Sequence, residues 1–433
     1  MKNNLICLLF IMTGMFACKK ETDPVFDKSP DERINETLSH YQQVLTGAPN
    51  GWRALVYPAG VPGSIYSFYF SFSDANRVQM FSDFDAASTG TMKESSWRLK
   101  SLQQPCLLFD TYSYLHVLCD PDASHNGGQY GQGLGSDFEF AIDGAAGDSV
   151  WLTGRFNRSK AVLIKATEQE KAAYYQHQIN RSIDSIGALL TYFHRLTAGD
   201  SRYDISIDKL LHQVTFTWIA DGKVKQVTTG YTYTSTGITL SPAFNNGSIT
   251  ISSFDQVKWE NGAISFTING KTANITETAT PVAIDRAAPK RWYQYAADNA
   301  KYWTTNQGFH VNGQDNAFQI TSLPGYAFLT YYPQVNGPGT DLDLLGFVLR
   351  GDNGQNTIAY GPGYSTPTYT SDGRIIFNDI GFSGSMPANK IPVEKTRSLM
   401  ADPMGYYLVQ IRPLTYAMVS ARDGKSWITW KSN

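Results

Sequence analysis

The sequence predicts an α+β protein dominated by β-structure, in which three successive units each run a helix into an antiparallel sheet, either a meander or a partly closed, barrel-like sheet. Three observations carry this expectation. Helix-start signals recur near Ser29, Thr167 and Pro289. Runs of alternating apolar and polar residues follow each of them. Hairpin dipeptides, among them Asp221-Gly222, Asn246-Gly247 and Asn261-Gly262, punctuate those runs. A chain of 433 residues also exceeds the length at which one core stops growing, roughly 250 to 300 residues. Its 42% apolar and 17% charged residues describe a folded body with a sizeable interior.

The first element is a leader. Met1-Lys2 precedes the apolar run Leu5 to Ala17, and Ala17-Cys18 stands where a bacterial lipoprotein signal is cut. Residues 1–17 are therefore expected to be removed and Cys18 to carry lipid, with residues 18–28 forming a polar tether. Cys18 thus places the chain at a membrane through an acyl anchor.

The first unit, 29–166, opens with Ser29-Pro30-Asp31-Glu32 as a cap, followed by Ile34, Leu38, Tyr41, Val44 and Leu45 at helical spacing. Gly47 and Pro49-Asn50-Gly51 end that helix. Strands are expected over Trp52–Tyr57, Tyr66–Phe72, Arg77–Phe81, Leu99 and Leu107–Phe109, Phe138–Ile142, Val150–Phe156 and Ala161–Lys165. The second unit, 167–285, begins with a capping box at Thr167 and Glu170, and its helix is expected to carry an apolar stripe through Ile179, Ile183, Ile186, Leu190 and Phe193. Alternating strands follow, for example Tyr203–Ile207 and Val214–Trp218. The third unit, 286–433, repeats the order, with Trp292, Tyr295, Ala296, Asn299, Tyr302 and Trp303 on one side of its helix. Between Asn353 and Pro387 the density of Gly, Pro, Ser and Tyr predicts long loops joining short strands.

Charge and motifs exclude several function classes. The net charge of −2, or −3 once Lys2 is removed, offers no basic surplus for nucleic acid. After the leader no apolar run approaches the roughly 20 residues that cross a bilayer as a helix. HExxH, GxSxG, P-loop and dinucleotide fingerprints are absent from the sequence, and the seven histidines have no i, i+4 pair for a metal. A glycosidase carboxylate pair stays open, because such a pair is defined in space and not by sequence distance.

Three groups of residues are candidates for a site. Cys106 and Cys119 could be bridged if the runs around them lie side by side, or could be two buried thiols. In the polar segment Asp110 to Asp137, the residues Asp120, Asp122 and Asn126 could supply oxygen to calcium and the glycines could let backbone approach a ligand. The same segment also reads as a helical turn capped by Asp110 followed by a flexible loop. Finally, Tyr331, Tyr332, Tyr360, Tyr364 and Tyr369 could form an aromatic platform for a ligand, although half-buried strands favour the same residues.

The leader with Cys18, the blocks Gly51-Trp52-Arg53-Ala54 and Phe68 to Asp74, Lys93-Glu94-Ser95-Ser96 through Tyr112, and Ser136 to Phe140 with Leu152-Thr153-Gly154-Arg155 together resemble a Bacteroidetes lipoprotein family, domain of unknown function 4302. The resemblance covers nearly the whole mature chain. It implies a partnership with outer-membrane importers of the starch-utilisation type and their substrate-binding lipoproteins, beside which such members tend to be encoded. It supplies no catalytic residues and no ligand. Glu21 and Asp23 resemble the surface-export signal of such lipoproteins, while Lys19 and Lys20 depart from it and leave a periplasm-facing position open.

The expected function is accordingly a lipid-anchored outer-membrane accessory protein, on the cell surface, that captures an oligomeric nutrient, glycan or peptide, without chemistry of its own. The alternatives are a surface hydrolase with an unidentified carboxylate pair and a scaffold for other envelope lipoproteins. Capture requires a groove with exposed aromatic faces. Hydrolysis requires carboxylates converging in a cleft, and scaffolding a broad apolar patch.

Overall fold

A computed structural model describes residues 28–351 and 353–432. Helix α1 (Pro30–Thr46) starts where Ser29 Oγ accepts the Glu32 amide at 3.2 Å and the Glu32 carboxylate accepts the Ser29 amide at 2.9 Å, a reciprocal capping box. Leu45 in its last turn enters the first core with Tyr41 and Val44 beside it.

Eight strands follow: β1 (Trp52–Tyr57), β2 (Tyr66–Phe72), β3 (Arg77–Ser82), β4 (Lys93–Leu102), β5 (Gln104–Phe109), β6 (Glu139–Ala146), β7 (Ser149–Gly154) and β8 (Lys160–Lys165). Each pairs antiparallel with its neighbours in sequence, and β1 returns to β8, with Trp52 opposite Lys165, to close a barrel. Closure consumes the edge hydrogen bonds that an open sheet would leave free. Alternation sends Trp52, Ala54, Val56, Phe68, Phe70, Leu107 and Phe109 inward, and these side chains with Leu45 fill the barrel. The opposite face of β2 and β3, Tyr69 and Phe81, is covered by Tyr174.

Tyr174 lies on α2 (Glu168–Tyr175), which has the expected Thr167–Glu170 capping box. The helix stops much earlier than the apolar stripe suggested. His177 adopts a left-handed φ of 56°, and Asn180 pins the chain to the next barrel through Nδ2 bonds to the carbonyls of Thr236 and Val257. Ile183 and Ile186 then reside on a separate 3-10 turn, Ser182–Ala188, that plugs the second core, whereas Phe193 already begins a strand.

The second barrel is formed by β9 (Phe193–Ala198), β10 (Ser201–Asp208), β11 (Gln213–Ala220), β12 (Lys223–Tyr233), β13 (Ile238–Asn245), β14 (Thr250–Glu260), β15 (Ala263–Ile268) and β16 (Lys271–Thr278), closed between β9 and β16. Asp221-Gly222 and Asn261-Gly262 are two-residue turns with both residues at positive φ, the geometry that matches strand twist.

In the third unit α3 (Ala288–Asp298) buries Ala288, Trp292, Tyr293 and Ala296. The sheet comprises β17 (Trp303–Thr305), β18 (His310–Val311), β19 (Tyr326–Tyr332), β20 (Asp343–Arg350), β21 (Asn356–Tyr369), β22 (Arg374–Gly384), β23 (Tyr406–Arg412), β24 (Thr415–Ser420) and β25 (Ser426–Lys431), with α4 (Ile391–Met400) between β22 and β23. It is ringed by one pairing of Thr304 with Lys431. The Trp303 indole donates to the Trp292 carbonyl at 3.1 Å, as Trp52 donates to Leu45 at 2.8 Å in the first unit, so in both the entering strand is tied to its plugging helix.

The segment expected to be long loops is instead the hairpin β21–β22. Its glycines and prolines mark shifts of register at Gly363/Tyr364 and Ser365/Thr368 and a place where backbone crowds backbone, since a Cβ on Gly361 would collide with the Leu345 carbonyl. No helix among the described residues is long and apolar enough to cross a membrane.

Candidate functional site: a glycine-lined groove

With the barrel interiors filled, ligand space lies among the loops. A large opening, about 1030 Å3, is bordered by Ala59–Val61, by the loop from Cys119 to Phe138, by Phe156 and Asn157, by Leu211 of the second barrel and by Arg412 of the third sheet.

The loop is built by its own polar side chains. Tyr114–Val117 forms one helical turn following Ser113, whose amide donates to His116 Nδ1 at 3.2 Å, and Asp110, the expected cap, instead pairs with Arg98 at 2.9 Å. Asn126 is fully buried: its Nδ2 donates to the carbonyls of Val117 and Asp120, both at 2.9 Å, and its Oδ1 accepts the Gly128 amide at 2.8 Å. Asp120 accepts the Asp122 amide at 2.9 Å, the Tyr112 hydroxyl at 2.8 Å and His125 Nδ1 at 2.9 Å. The Asp122 amide first, then His125 and Tyr112, hold the Asp120 carboxyl down at about 2. Asp122 Oδ1 caps Ser124 at 2.9 Å. The three candidate calcium ligands thus direct their oxygens at donors of the loop itself. No group of three or more His, Cys, Asp or Glu side chains placed to hold a metal occurs among the described residues.

Most of the glycines serve backbone packing. A Cβ on Gly128 would collide with the Gly133 carbonyl, and one on Gly133 would stand 2.7 Å from the Asp120 carbonyl oxygen. Gly131, at φ 84°, is different: nothing lies within 4 Å of the Cβ position, so its backbone is open to the groove.

Two exposed rings line this place and a third neighbours it in the chain. Phe156 is 71% exposed, Phe138 37%, and Tyr130, between the lining residues Gln129 and Gly131, 77%. Phe138 stacks on His116, at 4.8 Å between centroids. The amides of Gln129, Gln132 and Asn157 add donors and acceptors. Asp137 is 2% exposed and fully committed: Oδ1 accepts the amides of Phe156 and Asn157 at 2.8 and 2.9 Å, and Oδ2 accepts the Ser159 amide and hydroxyl at 3.2 and 2.6 Å. It shapes the Phe156 turn and has no second carboxylate beside it in the lining.

The other candidates fall elsewhere. Cys106 and Cys119 are free thiols. Cys106 faces outward from the first barrel with Leu108 and Ala141, while Cys119 lies in the groove loop, so the two are not bridged. Burial, then the Asp137 charge, pushes the Cys119 thiol up to about 12. The tyrosine platform does not form. Tyr331, Tyr360 and Tyr364 belong to the third core, with Tyr331 donating to Asp343 at 2.6 Å, and Tyr332 and Tyr369 are half-buried against Tyr302 and Tyr293. Cys18, Glu21 and Asp23 lie outside the described residues. A smaller cleft of about 350 Å3 contains His310, paired with Asp315 at 2.6 Å, but the ring of Trp427 there is already covered by His310 at 3.7 Å.

Sequence reading singled out the loop but not Phe156, Leu211 or Arg412. Phe156 did carry a signal, as a ring inside the polar turn Arg155 to Ser159. Leu211 and Arg412 reach the groove only through tertiary packing.

The chain belongs to the family called domain of unknown function, DUF4302, whose profile matches residues 22–261, more than half its length. No curated protein matches it. Among solved structures it is similar to a DNA polymerase sliding clamp from Pseudomonas aeruginosa with ligand, at 8% identity over 92% of this chain and 97% of that one, with a TM-score of 0.12. It is also similar to the isotype 1 transferrin binding protein B of serogroup B Neisseria meningitidis, at 9% identity over 88% of this chain and 73% of that one, with a TM-score of 0.14. Superpositions this loose bear on neither fold nor function.

Proposed function

We propose that this chain is a lipid-anchored accessory protein of the outer membrane, exposed at the cell surface, that captures an oligomeric nutrient for a starch-utilisation-type importer and does no chemistry on it. One observation carries the reading: the exposed rings of Phe138 and Phe156, amides and the open Gly131 backbone share one groove whose lining carboxylate, Asp137, is fully committed to hydrogen bonds. Flat rings stack on sugar faces and amides read hydroxyls, so the set suits a glycan.

A peptide is the weaker occupant. Extended peptides gain affinity by adding a strand to a sheet edge. The first two sheets are closed barrels, and the third ends in the two-residue β18. The anchor is supported by the layout of the apolar run and Ala17-Cys18.

The test is retention of the full-length chain, purified in detergent, on immobilised glycan and peptide arrays. The account predicts signal on glycans that survives washing, with the polymer unshortened. Silence on glycans, or shortening of a retained polymer, overturns it.

A further inference from the structure

The groove presents one exposed cation without a partner among the described residues. Its lining includes three ionisable side chains, Cys119, Asp137 and Arg412. Asp137 is buried with both carboxylate oxygens turned to four donors of the chain, and the Cys119 thiol, held up by burial, is neutral. Arg412 is exposed on β23, and among the described residues its guanidinium has neither an ion-pair nor a hydrogen-bond partner. Carboxylates around the groove are already engaged: Glu139 with Arg155 at 3.1 Å, Asp120 with His125, and Asp208 with the amides of Leu210 and Leu211 at 3.0 and 2.9 Å. Arg158, the residue after Asn157, is a second exposed cation without a carboxylate partner among the described residues.

We propose that the groove selects an acidic oligosaccharide, one whose carboxylate or sulfate groups are taken by Arg412 while a neighbouring sugar ring lies on Phe156. This rests on the groove being a glycan site and adds the charge of the ligand. A planar guanidinium offers a fork of donors that fits carboxylate and sulfate alike, and an unpaired one at the mouth of a groove gives no such advantage to a neutral sugar. Because Arg412 comes from the third sheet and most of the lining from the first barrel, the ligand would be held between the two units.

The experiment titrates the full-length chain in detergent with two matched pairs. Oligogalacturonate against its methyl ester tests the carboxylate, and dextran sulfate oligomers against dextran test the sulfate. At least one acidic probe binds about ten- to hundredfold more tightly than its neutral partner. That preference disappears in Arg412→Gln, returns in part in Arg412→Lys and shrinks with added salt, while Phe156→Ala weakens acidic and neutral probes alike. Equal affinity within both pairs, or a preference that survives Arg412→Gln, overturns the charge assignment and leaves the glycan groove standing if Phe156→Ala still weakens binding. Loss of neither with Phe156→Ala, or no binding of any probe, removes both.

Discussion

Asp83, at the end of the third strand of the first barrel, accepts the backbone amide of Tyr233 in the second barrel at 3.1 Å while its other oxygen accepts Ser67 of its own barrel at 2.8 Å. Arg181 closes the joint, donating to the Asp83 carbonyl at 2.8 Å and to Asp184 at 2.9 Å. His212 is buried 3.8 Å from the same carboxyl. One side chain thus orders two barrels relative to each other, and with them the Leu211 wall of the groove.

Asp83→Ala leaves two buried amides without an acceptor, at about 1–3 kcal/mol each, so the variant loses about 2–6 kcal/mol of stability. Burial raises the Asp83 carboxyl from 3.8 to about 7, against the pull of the Ser67 and Tyr233 amides and of Arg181. The folded protein therefore keeps a proton there that the unfolded chain releases. This contribution is complete below about pH 4 and is lost as pH rises toward 7. His212 runs the other way: burial lowers it from 6.5 to about 3, so its contribution is lost as pH falls below 6.5. Urea unfolding across that window should show the gap between parent and Asp83→Ala narrowing as pH rises; a constant or widening gap contradicts the assignment.

Two glycines in the loop should respond oppositely to alanine. Gly128→Ala must displace the Gly133 carbonyl, so it lowers the melting temperature and weakens ligand binding together. Gly131→Ala meets nothing within 4 Å and incurs only the backbone strain of φ 84°, about 1 kcal/mol. Thermal melts and binding titrations of both variants check this, and equal damage at the two positions would count against it.

Free thiols make the fold indifferent to reductant. The melting temperature should be the same with and without dithiothreitol, and alkylation should be slow until the protein is unfolded, at Cys106 because it is buried and at Cys119 because its thiol is pushed up to about 12. Mass spectrometry after alkylation in denaturant reads both sites; a bridged peptide would contradict the free-thiol geometry.

Local patterns made much of this fold legible. Ser29 and Glu32, the aromatic alternation from Tyr66 to Phe72 and the Asp-Gly and Asn-Gly turns each act within a few residues, so their signal survives in one sequence. Closure of β1 on β8 depends on pairing between residues far apart in the chain, which no local period encodes. The stripe from Ile179 to Phe193 misled because its spacing is helical, while Asn180 and His177 turn the chain for tertiary reasons. At the site, the polar surplus of Asp110 to Asp137 was visible as unusual composition. Its calcium reading used residues that the loop needs for its own turns, and Tyr331 and its neighbours followed the preference of buried strands for aromatics.

Anchoring has its own check. Labelled palmitate should enter the native chain in its host, and Cys18→Ala should abolish both the label and firm membrane association. Label retained by the variant would contradict acylation at this position.

The most direct measurement of the central claim is the affinity of a retained glycan for the full-length chain and for Phe156→Ala. The ring is 71% exposed, so its removal should leave the melting temperature unchanged while weakening binding by up to about tenfold, the worth of one aromatic contact. Unchanged affinity in a folded Phe156→Ala would show that the ligand is held elsewhere.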